Sequence, residues 1–594
     1  MKLYKFLIPA CVAMASLSLS SCSDELDATP DGRVSIDDVF ADPDLCAAYF
    51  SSCFDYIPQK SVCYFWFQNY PCAITDDGWS NDDTNGPILC YKGQASAVDF
   101  PLDKYWTSTF DCEYWKHYWQ QIRIINTFLQ HIPTATLSRE ENRDIWTGEA
   151  HCLRAFFYLQ LLKWYGALPI ITEPLDNSYD YSQIRKASTV EVLKFICDEC
   201  DEAMKSNMPW HLDNINLKYR MTKAIALAIK SEASLFAASP LYNCGEDLWQ
   251  WAYDINKDVY VQLLNNGYEL YTEMQTDYYN CAYGEYFATA NSWGSNPIDK
   301  ETIWQSDFGT QPFWWVSGTP IQGNYLSGTV PLQELVDAYD MLATGKPVVD
   351  LEKPYLDEFH LEPNYVEGSG YDPQNPYVGR DPRLAATVMF NGSTVQKGAT
   401  VHEVETWVGG NCGIKDKGER FSHTGYYRRK YANYRSGNDE GKWKYYRLGC
   451  VMLNLAECAA ETGKISEAMN LVNQIRHRAG FDPSVDVKAT TVDQARLLVR
   501  HERRVELAYE ENRYFDLRRW TPEDQDMISE KYATGMEITK TGTKLSYKRI
   551  LVGTDGSVPS KYSYQAKWHF FPIPADEVAR LNALTGEKWQ NKGW

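Results

Sequence analysis

The residues best suited to chemistry fall in two places. One is the run His501-Glu502-Arg503-Arg504-Val505-Glu506-Leu507-Ala508-Tyr509-Glu510-Glu511-Asn512-Arg513, dense in carboxylates. Glycosidase chemistry needs two carboxylates facing one bond. Here Glu506 precedes Glu510 by four residues and Glu510 precedes Arg513 by three, so on a helix they share a face and should be tied into ion pairs. A carboxylate held by arginine has a lowered pKa and makes a poor general acid. Structural salt bridges are therefore the expectation. The second place is Asp76-Asp77-Gly78-Trp79-Ser80-Asn81-Asp82-Asp83. Its clustered oxygens are of the kind calcium takes, but the alternating spacing and closing Glu of a calcium loop are missing, and a solvated turn is expected instead. No phosphate loop, no Gly-x-Ser-x-Gly nucleophile elbow and no His-Glu-x-x-His occurs. Neither a catalytic residue nor a metal site nor a cofactor is expected.

What the chain does offer is aromatic surface. It contains 20 Trp and 41 Tyr in 594 residues. An indole presents a flat apolar face to the C–H side of a pyranose, while nearby Asp, Asn and Arg satisfy the hydroxyls. Trp79, Trp293, Trp314 and Trp315 lie in Gly/Asn-rich stretches, with Asp76 and Asp77 beside the first. These six are the candidate ligand-binding residues. Acidic side chains outnumber basic ones by 79 to 58, which argues against nucleic acid as the main partner and suits a neutral ligand.

The elements that would position such a site are helices. Trp146, Ala150, Leu153 and Phe157 repeat at helical spacing, as do Tyr445, Leu448, Met452, Leu455 and Ala459, and then Ala468, Leu471, Val472, Ile475 and Ala479. Gly463 and Gly480 are placed to close helices in the left-handed conformation, and Ser466 to cap the second of them. Thr491 with Gln494 reads as a capping box for a helix running toward Asn512. Helix pairs are expected at 114–131 with 139–166 and at 188–206 with 221–239, their apolar stripes buried by stacking on one another. Their lengths resemble tetratricopeptide units, although no clean repeat survives in the sequence. Gly, Pro, Asn and Asp are dense at 60–112, 240–330 and 345–440, where loops should carry the binding residues.

The N-terminal stretch reads as a targeting signal. Lys2 and Lys5 precede an apolar run from Phe6 to Leu19, then Leu19-Ser20-Ser21-Cys22. The run is too short to span a bilayer, and a cysteine after small residues makes this a bacterial lipoprotein signal. Residues 1–21 would be removed and the Cys22 thiol acylated, leaving 22–594 as one domain on a lipid anchor. The 16 cysteines are irregularly spaced, and Cys197 and Cys200 fall inside a helical pattern, so packed thiols are expected for most.

Taken in order, the motifs resemble the SusD/RagB family of outer-membrane nutrient-binding lipoproteins. They are Gly148-Glu149-Ala150-His151-Cys152-Leu153-Arg154 with Tyr165-Gly166-Ala167-Leu168-Pro169, Lys223-Ala224-Ile225-Ala226 through Ser239-Pro240-Leu241-Tyr242-Asn243, Arg380-Asp381-Pro382-Arg383-Leu384, and Tyr426-Tyr427-Arg428-Arg429-Lys430-Tyr431. Tyr446-Arg447 to Ala456-Glu457, Glu502-Arg503-Arg504-Val505-Glu506, Arg513-Tyr514-Phe515-Asp516-Leu517-Arg518-Arg519-Trp520 and Phe571-Pro572-Ile573-Pro574 follow. The resemblance implies a mostly α fold, a tetratricopeptide-like hairpin scaffold with a large loop-rich ligand-binding face near 60–112 and 240–440. It implies an outer-membrane, cell-surface location and a SusC-like TonB-dependent transporter as partner, over which the lipoprotein sits as a lid. The expected function is non-catalytic glycan capture, with peptide capture as an alternative and a surface glycosidase as a third reading.

Overall fold

A computed structural model describes residues 34–57, 70–81, 96–97, 114–212, 220–274, 281–288, 299–305, 318–324, 327–415, 418, 420–432, 442–527, 532–553 and 564–594. Long helices supply the frame: α1 (Tyr114–His131), α2 (Glu141–Tyr165), α3 (Thr189–Met204), α4 (Lys223–Ala238), α5 (Trp249–Asn265), α6 (Leu448–Glu461), α7 (Ile465–Ala479), α8 (Val492–Glu506) and the shorter α9 (Asn512–Arg519). Each packs on the next along the chain from α1 to α5; α5 then packs on α6, and α6 on α7 and α8. The sequence places the pairs α1–α2 and α3–α4 within a turn of where they lie, but α5 forms inside 240–330, which the sequence reads as loop. It does not reveal that the pair α5–α6 is interrupted, with residues 266–447 inserted between its two helices.

Local chemistry sets the helix ends. Ser188 accepts from the Glu191 N–H while the Glu191 carboxylate takes the Ser188 N–H, a complete capping box for α3. Gly463 and Gly480 adopt φ of 75° and 112°, closing α6 and α7 as expected. Three expectations need correction. Residue Lys464, not Ser466, occupies the N-cap of α7, without a side-chain bond. Thr491 caps α8 through the Gln494 N–H, but the Gln494 side chain returns to Thr490 rather than completing a box. And α8 stops at Glu506, because Tyr509 and Glu511 take φ of 60° and 66° and break the helical path before α9 begins.

Helix α2 is the spine, buried along most of its length. Its Arg154 grips Glu199 of α3 through two bonds of 2.8 and 2.7 Å and Asn126 of α1 at 2.9 Å, fastening three helices with one guanidinium. A Cβ on Gly148 would fall 2.0 Å from Ser206 Oγ, so only glycine lets the ends of α2 and α3 approach this closely. At the far end of α2, Phe571 donates its N–H to Trp164 O (2.7 Å), and Asn591 reaches Tyr165 O and Phe571 O, locking the C-terminal segment on the spine.

Strands are short and occur, among the described residues, as five antiparallel pairs. They are β1 (Gly78–Ser80) with β3 (Thr329–Pro331), β2 (Thr302–Gln305) with β8 (Lys444–Arg447), β4 (Val388–Met389) with β7 (Tyr427–Arg428), β5 (Thr394–Lys397) with β6 (Thr400–Glu403), and β9 (Thr534–Thr541) with β10 (Lys544–Leu551). The pairs β2–β8, β4–β7 and β5–β6 lie wholly within the 266–447 insertion, and β1–β3 ties the insertion to residues 78–80. Cys152, Cys197, Cys200 and Cys458 are buried free thiols in the helix interfaces. Burial pushes the Cys197 thiol up to about 12, so it packs as a small apolar group.

Candidate functional site

Asp76 and Asp77 sit in the turn leading into β1, and both are buried. Arg513 of α9 holds the Asp76 carboxylate with Nε to Oδ1 at 2.8 Å and Nη2 to Oδ2 at 2.7 Å. Arg504 of α8 donates Nε to Asp77 Oδ1 at 2.9 Å and Nη2 to Asp76 O at 3.0 Å. Burial alone would raise both acids; for Asp76 the two guanidinium groups outweigh it and hold the carboxyl well below its usual range, whereas Asp77 stays raised. The expectation that these carboxylates face a ligand is therefore corrected: they are spent on arginines, and so are lost to calcium as well. Trp79 is corrected too. It is 5 % exposed and belongs to the main core, because β1 lies between β3 and the helices and is covered on both faces. Trp293, Trp314, Trp315 and Cys22 lie outside the described residues.

The described border of the loop-rich face is laced by backbone and amide bonds. Asn81, directly after β1, donates Nδ2 to Phe421 O at 2.9 Å and its N–H to Gly328 O at 3.1 Å. Asn324 donates to Gly318 O and Arg420 O, and Thr424 Oγ1 donates to Pro331 O at 2.6 Å. Segments 318–324, 327–331 and 420–424 thus form one rigid rim, and Lys415 rests on the Phe421 ring at 3.6 Å. Sequence reasoning missed this rim, since all its bonds but that of Asn324 to Gly318 join groups 93 or more residues apart.

A small cleft with about 70 Å³ of room opens between α2, β8 and the start of α9, with Phe156, Trp443, Tyr445, Tyr446 and Phe515 among its walls. Trp304 backs the wall, its ring 4.4 Å from that of Tyr445. On the polar side Lys163 pairs with Glu232 at 2.7 Å, and the Tyr446 hydroxyl donates to the other Glu232 oxygen at 2.7 Å. Glu510 is held by Arg447 (2.8 Å) and Lys430 (2.7 Å), which outweigh its burial and keep its pKa low. Glu510 is committed as an ionised acceptor, and both Glu232 oxygens are taken up by these bonds. Such walls can stack on a ring and hydrogen-bond it, but an arginine-held carboxylate is poorly placed to protonate a leaving group.

The carboxylate-rich run of α8 resolves in the same way. Glu506 receives Arg447 at 2.7 Å, Arg383 at 2.9 Å and Arg478 as well, and burial, which would raise its pKa, is overcome by the three. Ion pairing was the expectation, but its geometry is different. Glu506, Glu510 and Arg513 do not share a helix face; Arg513 goes to Asp76, and Glu506 and Glu510 find arginines from β8, α7 and the Pro382–Thr387 helix. Among the described residues no group of three His, Cys, Asp or Glu side chains could hold a metal ion.

The mostly helical fold recurs in known proteins. The model of the SusD family matches residues 274–594. The chain belongs to the SusD family. A second family model, described as starch-binding associating with outer membrane, matches residues 93–235, so the two together cover most of the helical frame of this SusD family member but leave out α5. A SusD-like protein of Bacteroides fragilis superposes with a TM-score of 0.73 at 23 % identity, covering 94 % of this chain and 98 % of that one. A SusD-like carbohydrate binding protein of the same species gives 0.63 at 20 % identity, over 92 % and 99 % of the two chains. Surface glycan-binding protein A of Bacteroides fluxus gives 0.57 at 17 % identity, over 93 % and 100 %. No curated protein sequence matches the chain. The fold these structures share is the tetratricopeptide-like frame expected for a SusD family member.

Proposed function

We propose that the chain is a non-catalytic lipoprotein of the outer-membrane surface that captures a glycan and delivers it to a SusC-like TonB-dependent transporter. The observation that carries this reading is membership of the SusD family, joined to the match of residues 93–235 with the starch-binding, outer-membrane-associating model. Two structural neighbours are themselves described as carbohydrate binding and surface glycan-binding. The Glu510 carboxylate, held by Arg447 and Lys430, and the Glu232 carboxylate, taken up by Lys163 and Tyr446, support binding over hydrolysis. Residues 22–594 act as one domain, anchored by acylated Cys22, and no helix of the described residues is long and apolar enough to cross a membrane.

Stacking falls to Trp293, Trp314 and Trp315, with Trp79 removed from the set because it is core. The test is retention of the purified chain on a panel of polysaccharides and peptides, with the eluate assayed for released sugars. A glycan retains the protein and no short sugars appear. Trp314→Ala with Trp315→Ala weakens retention about tenfold, the scale of one or two stacking contacts, and leaves Tm unchanged. Retention on peptides alone, or steady release of oligosaccharides, overturns the reading.

A further inference from the structure

Gln160, near the C-terminal end of the spine helix α2, is 6 % exposed, and its amide meets no hydrogen-bond partner among the described residues. Buried polar groups are nearly always paired, so an amide left open in a spine helix calls for a reason. It lines the cleft between α2, β8 and the start of α9. Two other groups of the same cleft have capacity to spare. Lys163, one turn further along α2, gives a proton to Glu232 and lies 4.3 Å from the centre of the Phe515 ring; an ammonium has three to give. Asn512, the first residue of α9, donates Nδ2 to Glu510 O at 3.1 Å, while its Oδ1 accepts from none of the described residues. The cleft therefore offers donors and acceptors together.

Its charges, by contrast, balance. Lys163, Lys444 and Arg447 stand against Glu232, Glu510 and Glu511. Lys444 donates to Gln305 at 2.7 Å, and Arg447 is shared among Glu301, Glu506 and Glu510. An ionic guest would meet no net counter-charge here and would give up its hydration without return. An uncharged guest whose groups both donate and accept, as hydroxyls do, matches the open amides. Tyr445, half-buried and backed by the Trp304 ring, is the most open ring of the cleft and supplies an apolar face for it. Size narrows the guest further. The room of about 70 Å³ takes about five water-sized groups at ~10–15 Å³ each. One sugar ring can enter by an edge, but a chain cannot lie along it.

We propose that this cleft seats one uncharged sugar residue at the end of a glycan chain, with the Gln160 amide bonding its hydroxyls. The inference rests on the glycan-capture reading and adds to it where a chain end lodges and that its last residue is neutral. Crystals of the full chain soaked with uncharged methyl glycosides, methyl uronides and N-acetylated amino-acid amides, with the same panel titrated in solution, decide it. An uncharged glycoside sits in the cleft within hydrogen-bond distance of the Gln160 amide, and no uronide does. Gln160→Leu weakens that glycoside about five- to tenfold, the scale of one neutral hydrogen bond. The same substitution leaves Tm no lower, because it removes no bond within the protein; an amide serving only the fold would lower it. A cleft that holds only water after every soak, a uronide or an amide in place of the glycosides, or equal glycoside affinity in Gln160→Leu overturns the inference. If the chain is still retained on a polysaccharide, the capture reading survives that result; if it is retained on none, both fall. The soaks of the unaltered chain decide the matter even if the variant folds poorly.

Discussion

Arg513 and Arg504 lie 437 and 427 residues from the aspartates they neutralise, and they convert what reads as a solvated acidic turn into a buried clasp between β1 and the helices α8 and α9. Removing one partner of such a pair strands a charge away from water. Asp76→Ala is therefore expected to lower stability by about 3–5 kcal/mol, measured by urea unfolding, with any glycan bound by the folded fraction at unchanged affinity. If instead stability holds and affinity falls, Asp76 faces ligand after all. Trp79→Ala belongs to the same scale. A buried indole replaced by alanine leaves a cavity, and a loss of about 3–5 kcal/mol is expected, against the near-zero change that an exposed stacking ring would give.

Elements cohere in this protein through a few close approaches and a few shared guanidinium groups. The contact of α2 with the end of α3 depends on Gly148, whose added Cβ would meet both Oγ and Cβ of Ser206. Gly148→Ala is expected to cost about 1–3 kcal/mol by overpacking. Gly148→Ala combined with Ser206→Gly should recover much of the loss, and a double-mutant cycle in denaturant measures the coupling; additive effects would mean that the helices part elsewhere. The interrupted pair α5–α6 shows the other side of this design. Residues 266–447 leave and re-enter the frame between two helices that pack directly on each other, so loops can vary while the hairpin persists.

Across the whole molecule the buried charges set a pH profile. Burial would raise Asp340, but His501 and Arg476 hold it at about 2, and Glu457 is held at about 2 by Arg519 and Arg503. Folded-state values below the unfolded ones mean stability that is present above pH ~4 and lost as pH falls toward 2. His569 acts earlier. Burial lowers it to about 4, so the neutral ring's contribution is complete above pH ~6.5 and declines as pH falls to 4. Tm followed from pH 8 to 3 should fall in two stages, and His569→Gln should flatten the upper one; a profile unchanged by that substitution would remove His569 from the account. At the same scale, Cys22→Ala is expected to release the protein from the membrane fraction into the soluble one, and continued attachment would refute the lipid anchor.

By itself the sequence determined most of the helices, though not α5, and the family. Helical period and end signals such as Gly463, Gly480 and Thr491 act within a few residues, so they can be read along the chain. Even there the end of α8 escaped notice, because its left-handed Tyr509 and Glu511 are imposed by packing and not by residue type. Only the tertiary structure decided which polar and aromatic side chains are spoken for. Trp79 and Asp76 look like ligand groups in a Gly/Asn-rich turn, but β3, α8 and α9 arrive from hundreds of residues away to cover them. A local pattern records what a side chain can offer; burial depends on which distant segment packs against it.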